Sequence, residues 1–265
     1  MTNSDHGPRI TPLKMQFGAI IIGDEILSGK RQDKHMPKLI ETLGARGLGL
    51  AWCQYLGDDA ELITSTLKRT FASGDVVFSF GGIGATPDDH TRLCAARAAD
   101  VKLRLHPDAE AEIRARFGVD ITPKRLMMGE FPVGSEIIPN PYNRIPGFSL
   151  RNHYFVPGFP QMAWPMMAWV LDTHYRSLFD PGGIAERSII VRGAGESQLI
   201  DVMNQCLERY PRLKVFSLPR MEPERHVELG VRGDAAQVPA AISVLQQGVS
   251  TLGFQWNDAP SQGAG

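Results

Sequence analysis

Two stretches of the chain set acidic side chains behind glycines at the ends of apolar runs. The first is Gly23-Asp24-Glu25-Ile26-Leu27-Ser28-Gly29-Lys30, directly after Phe17-Gly18-Ala19-Ile20-Ile21-Ile22. The second is Gly81-Gly82-Ile83-Gly84-Ala85-Thr86-Pro87-Asp88-Asp89, directly after Val76-Val77-Phe78-Ser79-Phe80. Glycine lets the backbone come close to a ligand, and turns of backbone N–H groups bind anions. Bare carboxylates repel phosphate. The combination suits a divalent cation between the acids and a phosphorylated ligand, because Mg²⁺ takes one or two protein carboxylates and completes its shell with phosphate oxygens and water. Ser28 and Lys30 add a hydroxyl and an ammonium able to hold a phosphate. The simpler reading of each loop is a turn made by glycine and a helix cap made by Asp88 or Asp89.

Two familiar phosphate motifs are excluded by spacing. A P-loop has four residues between its first glycine and Gly-Lys-Ser/Thr. Here five residues separate Gly23 from Gly29, and Arg31 stands where the hydroxyl residue belongs. Nor is the stretch G-x-G-x-x-G, so the dinucleotide fingerprint is absent. Ser197 in "GAGESQL" lacks the G-x-S-x-G spacing of a nucleophile elbow.

The elements around these loops alternate. The pattern predicts strands at 16–22, 50–56 and 75–80. Helices are predicted from Asp33 to about Ala45, from a cap at Asp58 or Asp59 onward, and from about His90 to Ala99. The apolar faces are Met36, Leu39, Ile40 and Leu43 in the first helix, and Leu62, Ile63, Thr66, Leu67 and Phe71 in the second. Such alternation signifies a parallel sheet covered on both faces, whose ligands bind beyond the carboxyl ends of the strands. Further on, a helix over Pro107–Phe117, a short strand at 136–138, a hairpin at 148–150 and 153–156, and an apolar helix ending near Tyr175 are expected. Met162, Trp164, Met166, Met167 and Trp169 read as the packed face of that helix, in a core or an oligomer interface. Asp180-Pro181-Gly182-Gly183 marks a boundary. Beyond it, strand (186–192), helix (196–209), strand (213–217), strand (225–231), helix (234–248) and strand (251–256) form a β-α-β-β-α-β unit. The expected organisation is a tail at 1–13, an α/β domain at 14–181, a small α+β domain at 184–256, and a second tail at 257–265.

The composition bounds the class. The chain has 265 residues, 43% hydrophobic and 22% charged, with a net charge of -1 at pH 7. This is an ordinary globular balance, and no general electrostatic grip on nucleic acid or an acidic membrane is expected. The three cysteines, Cys53, Cys94 and Cys206, form no C-x-x-C pair, which fits a reducing cytoplasm. The first residues lack an apolar signal core, and no run of about 18 apolar residues is present to span a bilayer. A cytoplasmic protein is therefore expected.

"GDEILSGK", "GGIGATPDD" with Thr91-Arg92, "NPYNRIPGF" and "VPGFP", in that order, resemble the molybdopterin-binding (MoaB/Mog-like) domain family. Within it the chain looks most like the N-terminal part of the CinA (competence/damage-inducible protein A) proteins, over about residues 15–178. "RGAGESQL" at 192–199 resembles the small αβ domain that follows in those proteins. Their C-terminal amidase domain is not expected here, since little chain follows residue 256. The resemblance implies a three-layer α/β/α domain with a mostly parallel sheet, and a homo-oligomer. It places Asp24 and Asp89 at the metal end of the pocket, holding Mg²⁺ or another divalent cation. Glu25 or Asp88 would orient or deprotonate water. Gly23, Ser28, Gly29, Lys30, Gly81, Gly82, Ile83, Gly84, Thr86, Pro157 and Gly158 would line the ligand. CinA relatives are associated with metal-dependent cleavage of ADP-ribose, which implies a nucleoside diphosphate-linked substrate. Two alternatives stand beside this: binding of molybdopterin or a nucleotide without turnover, and a regulatory or scaffold role with a vestigial pocket. Ile83 replaces the commoner threonine, Ala85 a proline, and His35 an asparagine. Asp88 stands where Mog relatives carry arginine, which disfavours an anionic pterin phosphate.

Overall fold

The structure, a computed structural model, describes residues 15–221 and 225–260. These divide into two compact units. One contains the described residues up to Gly44 together with Gly49–Leu178; the other contains Ala45–Leu48 and the described residues from Phe179 onward. The expected tail at 1–13 lies outside the described residues, as do residues 261–265 of the second tail.

In chain order the first unit has β1 (Phe17–Ile22), α1 (Asp24–Leu27), α2 (His35–Gly44), β2 (Leu50–Leu56), α3 (Ala60–Phe71), β3 (Val76–Phe80) and α4 (Thr91–Ala99). There follow β4 (Leu103–Leu105), α5 (Pro107–Phe117), α6 (Pro123–Leu126), β5 (Glu130–Pro132), β6 (Glu136–Ile138), β7 (Gly147–Leu150), β8 (His153–Val156) and α7 (Pro160–His174). A six-stranded sheet runs in the order β2-β1-β3-β8-β7-β6. β2, β1, β3 and β8 are parallel, and β7 and β6 extend the sheet past β8 through two antiparallel pairings. Every residue of β1 and β3 is buried, as continuous apolar runs in a doubly covered parallel sheet require. The carboxyl ends of β2, β1, β3 and β8 therefore open on the same edge of the sheet.

The helix starts follow capping chemistry. Asp33 accepts from the N–H groups of His35 (2.8 Å) and Met36 (3.1 Å), and Asp59 caps α3 through the N–H of Leu62 (2.8 Å). The faces differ from expectation. Ile40 and Leu62 are exposed, whereas His35, Thr42 and Thr70 are buried. The period had identified the helices but not the direction of their inner faces. The stretch Gly23–Lys30, expected as an open loop, contains the helical turn α1. The N–H groups of Ile26 and Ser28 bond to the carbonyls of Gly23 and Asp24, at 3.1 and 2.8 Å. β4, β5 and α6 were not expected. Each has only three or four residues, too short for a periodic signal, and β4 pairs with β5 across 24 or more intervening positions.

The second unit has β9 (Ile184–Arg192), α8 (Glu196–Arg209), β10 (Lys214–Arg220), β11 (His226–Asp234), α9 (Val238–Thr251) and β12 (Gln255–Asp258). The four strands form an antiparallel sheet, β10-β11-β9-β12. Its core includes Ile189, Val191, Leu199, Leu229 and Leu245. α9 starts later than predicted because Asp234 belongs to β11 and accepts from the N–H of Ala236 (2.9 Å), closing a turn instead of capping the helix. β12 is displaced accordingly. Asn257 and Asp258, expected in a frayed tail, pair with Ile190 and Ile189.

Candidate functional site

The carboxyl ends of the four parallel strands enclose a cavity of about 410 Å³ within the first unit. β1 delivers Gly23 and Glu25, and β2 delivers Asp58. β3 delivers the loop Gly81–Asp89, and β8 delivers Pro157, Gly158 and Phe159. Met128, Ile145, Pro146 and Met162 contribute apolar surface.

The Gly81–Asp89 loop is fastened by the start of α4. Thr91 donates its N–H to Gly82 O (3.0 Å) and its hydroxyl to Gly81 O (3.1 Å). Gly82 has φ +69°, and a Cβ there would collide with the Thr91 hydroxyl, so both conformation and packing demand glycine. The buried Arg92 guanidinium donates to Gly84 O at 2.6 Å and also to the carbonyls of Met127 and Glu130. Burial lowers its pKa, yet these carbonyls take the place of water around the cation. Asp89 faces back into its own loop, where its carboxylate accepts from the N–H (2.8 Å) and the hydroxyl of Thr86. Asp88 is exposed at the rim.

The first loop is held differently. Gly23 donates its N–H to Leu56 O (3.0 Å), tying the end of β1 to the end of β2. Asp24 and Asp58 then exchange backbone-to-carboxylate bonds: Asp24 N–H to Asp58 Oδ2 (2.9 Å), and Asp58 N–H to Asp24 Oδ1 (3.2 Å). Two carboxylates are thereby brought together. Burial, then the nearby charges of Asp24, Glu25 and Asp88, push the Asp58 carboxyl above its ordinary value. Arg31, which pairs with Glu25 at 3.8 Å, is the basic side chain on this rim.

The structure thus brings together Gly23, Glu25, Gly81, Gly82, Ile83, Gly84, Thr86, Asp88, Asp89, Pro157 and Gly158 around one cavity. It places Asp24 beside that cavity, with its carboxylate on the Asp58 N–H. Ser28, Gly29 and Lys30 are exposed past the end of α1 and do not line the cavity. Asp58 was missed, having been read only as a possible cap. Its signal was present, since Gly57-Asp58-Asp59 repeats at the end of β2 the glycine-then-acid pattern found after β1. Met162 was assigned to a packed face but lines the cavity, while Met166 and Met167 are the buried methionines of α7. Trp169, also assigned to that face, is 37% exposed.

The His35 ring stacks on Phe80 (centroids 4.6 Å apart), and its Nε2 lies 3.1 Å from Gly158 O. Burial lowers its pKa. A neutral ring that donates from Nε2 to Gly158 O satisfies both observations and holds the β8 loop in place.

Residues 18–176, more than half the chain, match the model of a family described as "Probable molybdopterin binding domain". A CinA-like protein of Anaeromyxobacter sp. (strain K) is 34% identical over 237 residues, covering 86% of this chain and 57% of its own. A protein of Pyrobaculum arsenaticum is 26% identical over 208 residues, 76% of this chain and 78% of its own. Among solved structures, the CinA protein of Thermoplasma acidophilum, described as of unknown function, superposes with a TM-score of 0.54 at 27% identity. That match covers 59% of this chain and 97% of the other. The chain spans less than two thirds of the length of the CinA-like relatives it matches. Among the described residues no helix is long and apolar enough to cross a membrane.

Proposed function

The chain belongs to the molybdopterin-binding domain family, and from that premise we propose that it binds a phosphorylated, nucleotide-type ligand with a divalent cation and hydrolyses a nucleoside diphosphate-linked compound such as ADP-ribose. The observation that carries this reading is the crowding of Glu25, Asp58 and Asp88, with Asp24 behind them, on the rim of a glycine-lined cavity. Like charges held this close are a cost that a cation removes.

The donor set fits Mg²⁺ of one particular kind. Among the described residues no group of three or more His, Cys, Asp or Glu side chains is arranged to hold a metal ion. A site supplying one or two carboxylates, with phosphate oxygens and water as the remaining ligands, is how Mg²⁺ meets nucleotides. Asp58 and Asp88 are the residues that would hold it. Of the pair implied by the family resemblance, Asp24 does not line the cavity and Asp89 turns its carboxylate to Thr86, so both act by positioning the loops, whereas Asp58, which accepts from the Asp24 N–H, lines the cavity. A bound cation would supply Lewis-acid stabilisation of charge on the pyrophosphate.

The chain's own groups do the rest. Backbone at Gly82 and Gly84 approaches the phosphates, and Arg92 keeps that loop in shape from beneath. Glu25 orients a water and takes its proton as the water oxygen bonds to phosphorus and the bridging P–O bond breaks. The products of ADP-ribose are then AMP and ribose 5-phosphate.

Incubating the protein with ADP-ribose and Mg²⁺ or Co²⁺ and measuring AMP tests the reading. Release that needs metal and is lost in Asp58→Asn supports it; no release above the protein-free control removes ADP-ribose as substrate. The apolar surface of Met128, Ile145 and Met162 also suits the ring of a pterin, which supports binding of molybdopterin without turnover as a second reading. A fluorescent pterin that copurifies with an inactive protein would favour it.

A further inference from the structure

A second cavity of about 370 Å³ adjoins the first within the same unit. The two share Glu25, Arg31, Gly158 and Phe159, so a thin wall separates them. Their chemistry differs. The first has four carboxylates on its lining against one arginine, Arg31. The second has Arg31 and Lys34 against Glu25 alone, with the amides of Gln32 and Gln161 beside them. An ammonium, a guanidinium and two carboxamides present many hydrogen-bond donors, the complement of phosphate and sugar oxygens. The wall is built: His35, 5% exposed and stacked on Phe80, bonds Gly158 O from the side of α2. Neither a turn nor a cap accounts for a cavity of this size.

We propose that the second cavity is a subsite for the non-nucleoside half of the substrate, and that it selects a phosphorylated sugar or similarly hydroxylated, anionic group. This rests on the hydrolase reading for the identity of the two halves. The nucleoside occupies the cavity with the apolar surface, the pyrophosphate crosses the shared rim at Glu25 and Arg31, and the sugar lies near Lys34, Gln32 and Gln161. The enzyme would then favour nucleoside diphosphate sugars over dinucleotides, whose second half is a flat aromatic ring. Lys34 and Gln161, which line the second cavity and not the first, are specificity residues here.

The test separates the subsite from the reaction. Binding of ribose 5-phosphate and of AMP is measured by calorimetry without divalent metal, on wild type, Lys34→Glu and Gln161→Ala. Reversing the charge at Lys34 should weaken ribose 5-phosphate by about tenfold or more, the worth of a charged hydrogen bond, while AMP binding holds. Gln161→Ala should weaken it by roughly threefold, and KM for ADP-ribose should rise in the same order with kcat retained. Ribose 5-phosphate that binds wild type and both variants alike, or does not bind at all, overturns the subsite even if AMP release is observed. Binding lost in Lys34→Glu without any AMP release keeps the subsite and removes the hydrolase reading. Circular dichroism of both surface variants verifies that they fold.

Discussion

The loops after β1 and β3 have the same design in sequence and different construction in space. Each pairs glycines with two acidic residues, and each turns one carboxylate onto a backbone N–H, of Asp58 for Asp24 and of Thr86 for Asp89, while Glu25 and Asp88 line the cavity. The β3 loop is anchored from below by a buried cation, with Arg92 holding Gly84 O and the carbonyls of Met127 and Glu130. Among the described residues no buried cation holds the β1 loop in this way. That loop is held by backbone to β2 and by the mutual bonds of Asp24 and Asp58. The β3 loop is thus fastened by a buried cation, while the β1 loop meets the end of β2 at Asp58, whose carboxyl is pushed above its ordinary value.

Arg92 is the side chain on which the difference between the two loops depends most. Arg92→Met should cost about 2–4 kcal/mol, because three loop carbonyls lose the donors of one buried guanidinium. Urea unfolding should show a lower midpoint with an unchanged m-value. An unshifted midpoint would mean that the β3 loop has no anchor. Gly82→Ala comes next. The positive φ and the collision with the Thr91 hydroxyl predict a loss of about 1–3 kcal/mol, together with weaker binding of ADP-ribose. Asp24→Ala removes the acceptor for the Asp58 N–H together with a like charge beside the Asp58 carboxylate, so its expected net cost is about 1 kcal/mol or less. Comparison with Asp58→Asn, which keeps an acceptor, separates the loss of a bond from the loss of a charge.

The smallest effect is one of pH. The Asp58 carboxyl titrates above its ordinary range in the folded protein, so the folded state binds that proton more tightly than the unfolded chain. Stability from this group therefore rises as pH falls through the raised pKa and is lost as pH rises. Asp58→Asn should melt slightly higher than wild type at pH 7, and the difference should vanish in acid, where wild-type Asp58 is protonated. His35 has the opposite sign. Its pKa is depressed by burial, so its contribution is present above the unfolded histidine value and is lost as pH falls. His35→Gln should flatten the acid side of the stability profile.

Much of the fold was legible because its signals are local and strong. The strands at 17–22 and 76–80 are apolar runs buried along their whole length, and α3 carries a clear cap at Asp59 and an apolar stripe. The directions of helix faces were less so: Ile40 and Leu62 continue the apolar period and yet point to solvent. In the site, glycine spacing identified the loops, but no spacing tells which of two adjacent carboxylates points inward. Asp24 is the example. The turn α1 rotates it toward β2, and the contact that fixes it lies 34 residues away at Asp58. Asp58 itself was masked by a second meaning, because an aspartate before a helix reads first as a cap.

The central claim is that the carboxylates at the ends of β1, β2 and β3 take up a cation together with a phosphorylated ligand. Mn²⁺, which is paramagnetic and replaces Mg²⁺ among oxygen ligands, permits a direct measurement. Its binding would be titrated by electron paramagnetic resonance with and without ADP-ribose, on wild type and on Asp58→Asn. The account predicts weak binding of Mn²⁺ alone, one tightly bound ion per chain when ADP-ribose is present, and loss of that ion in Asp58→Asn. Equal binding by wild type and variant, or binding indifferent to ADP-ribose, would contradict it.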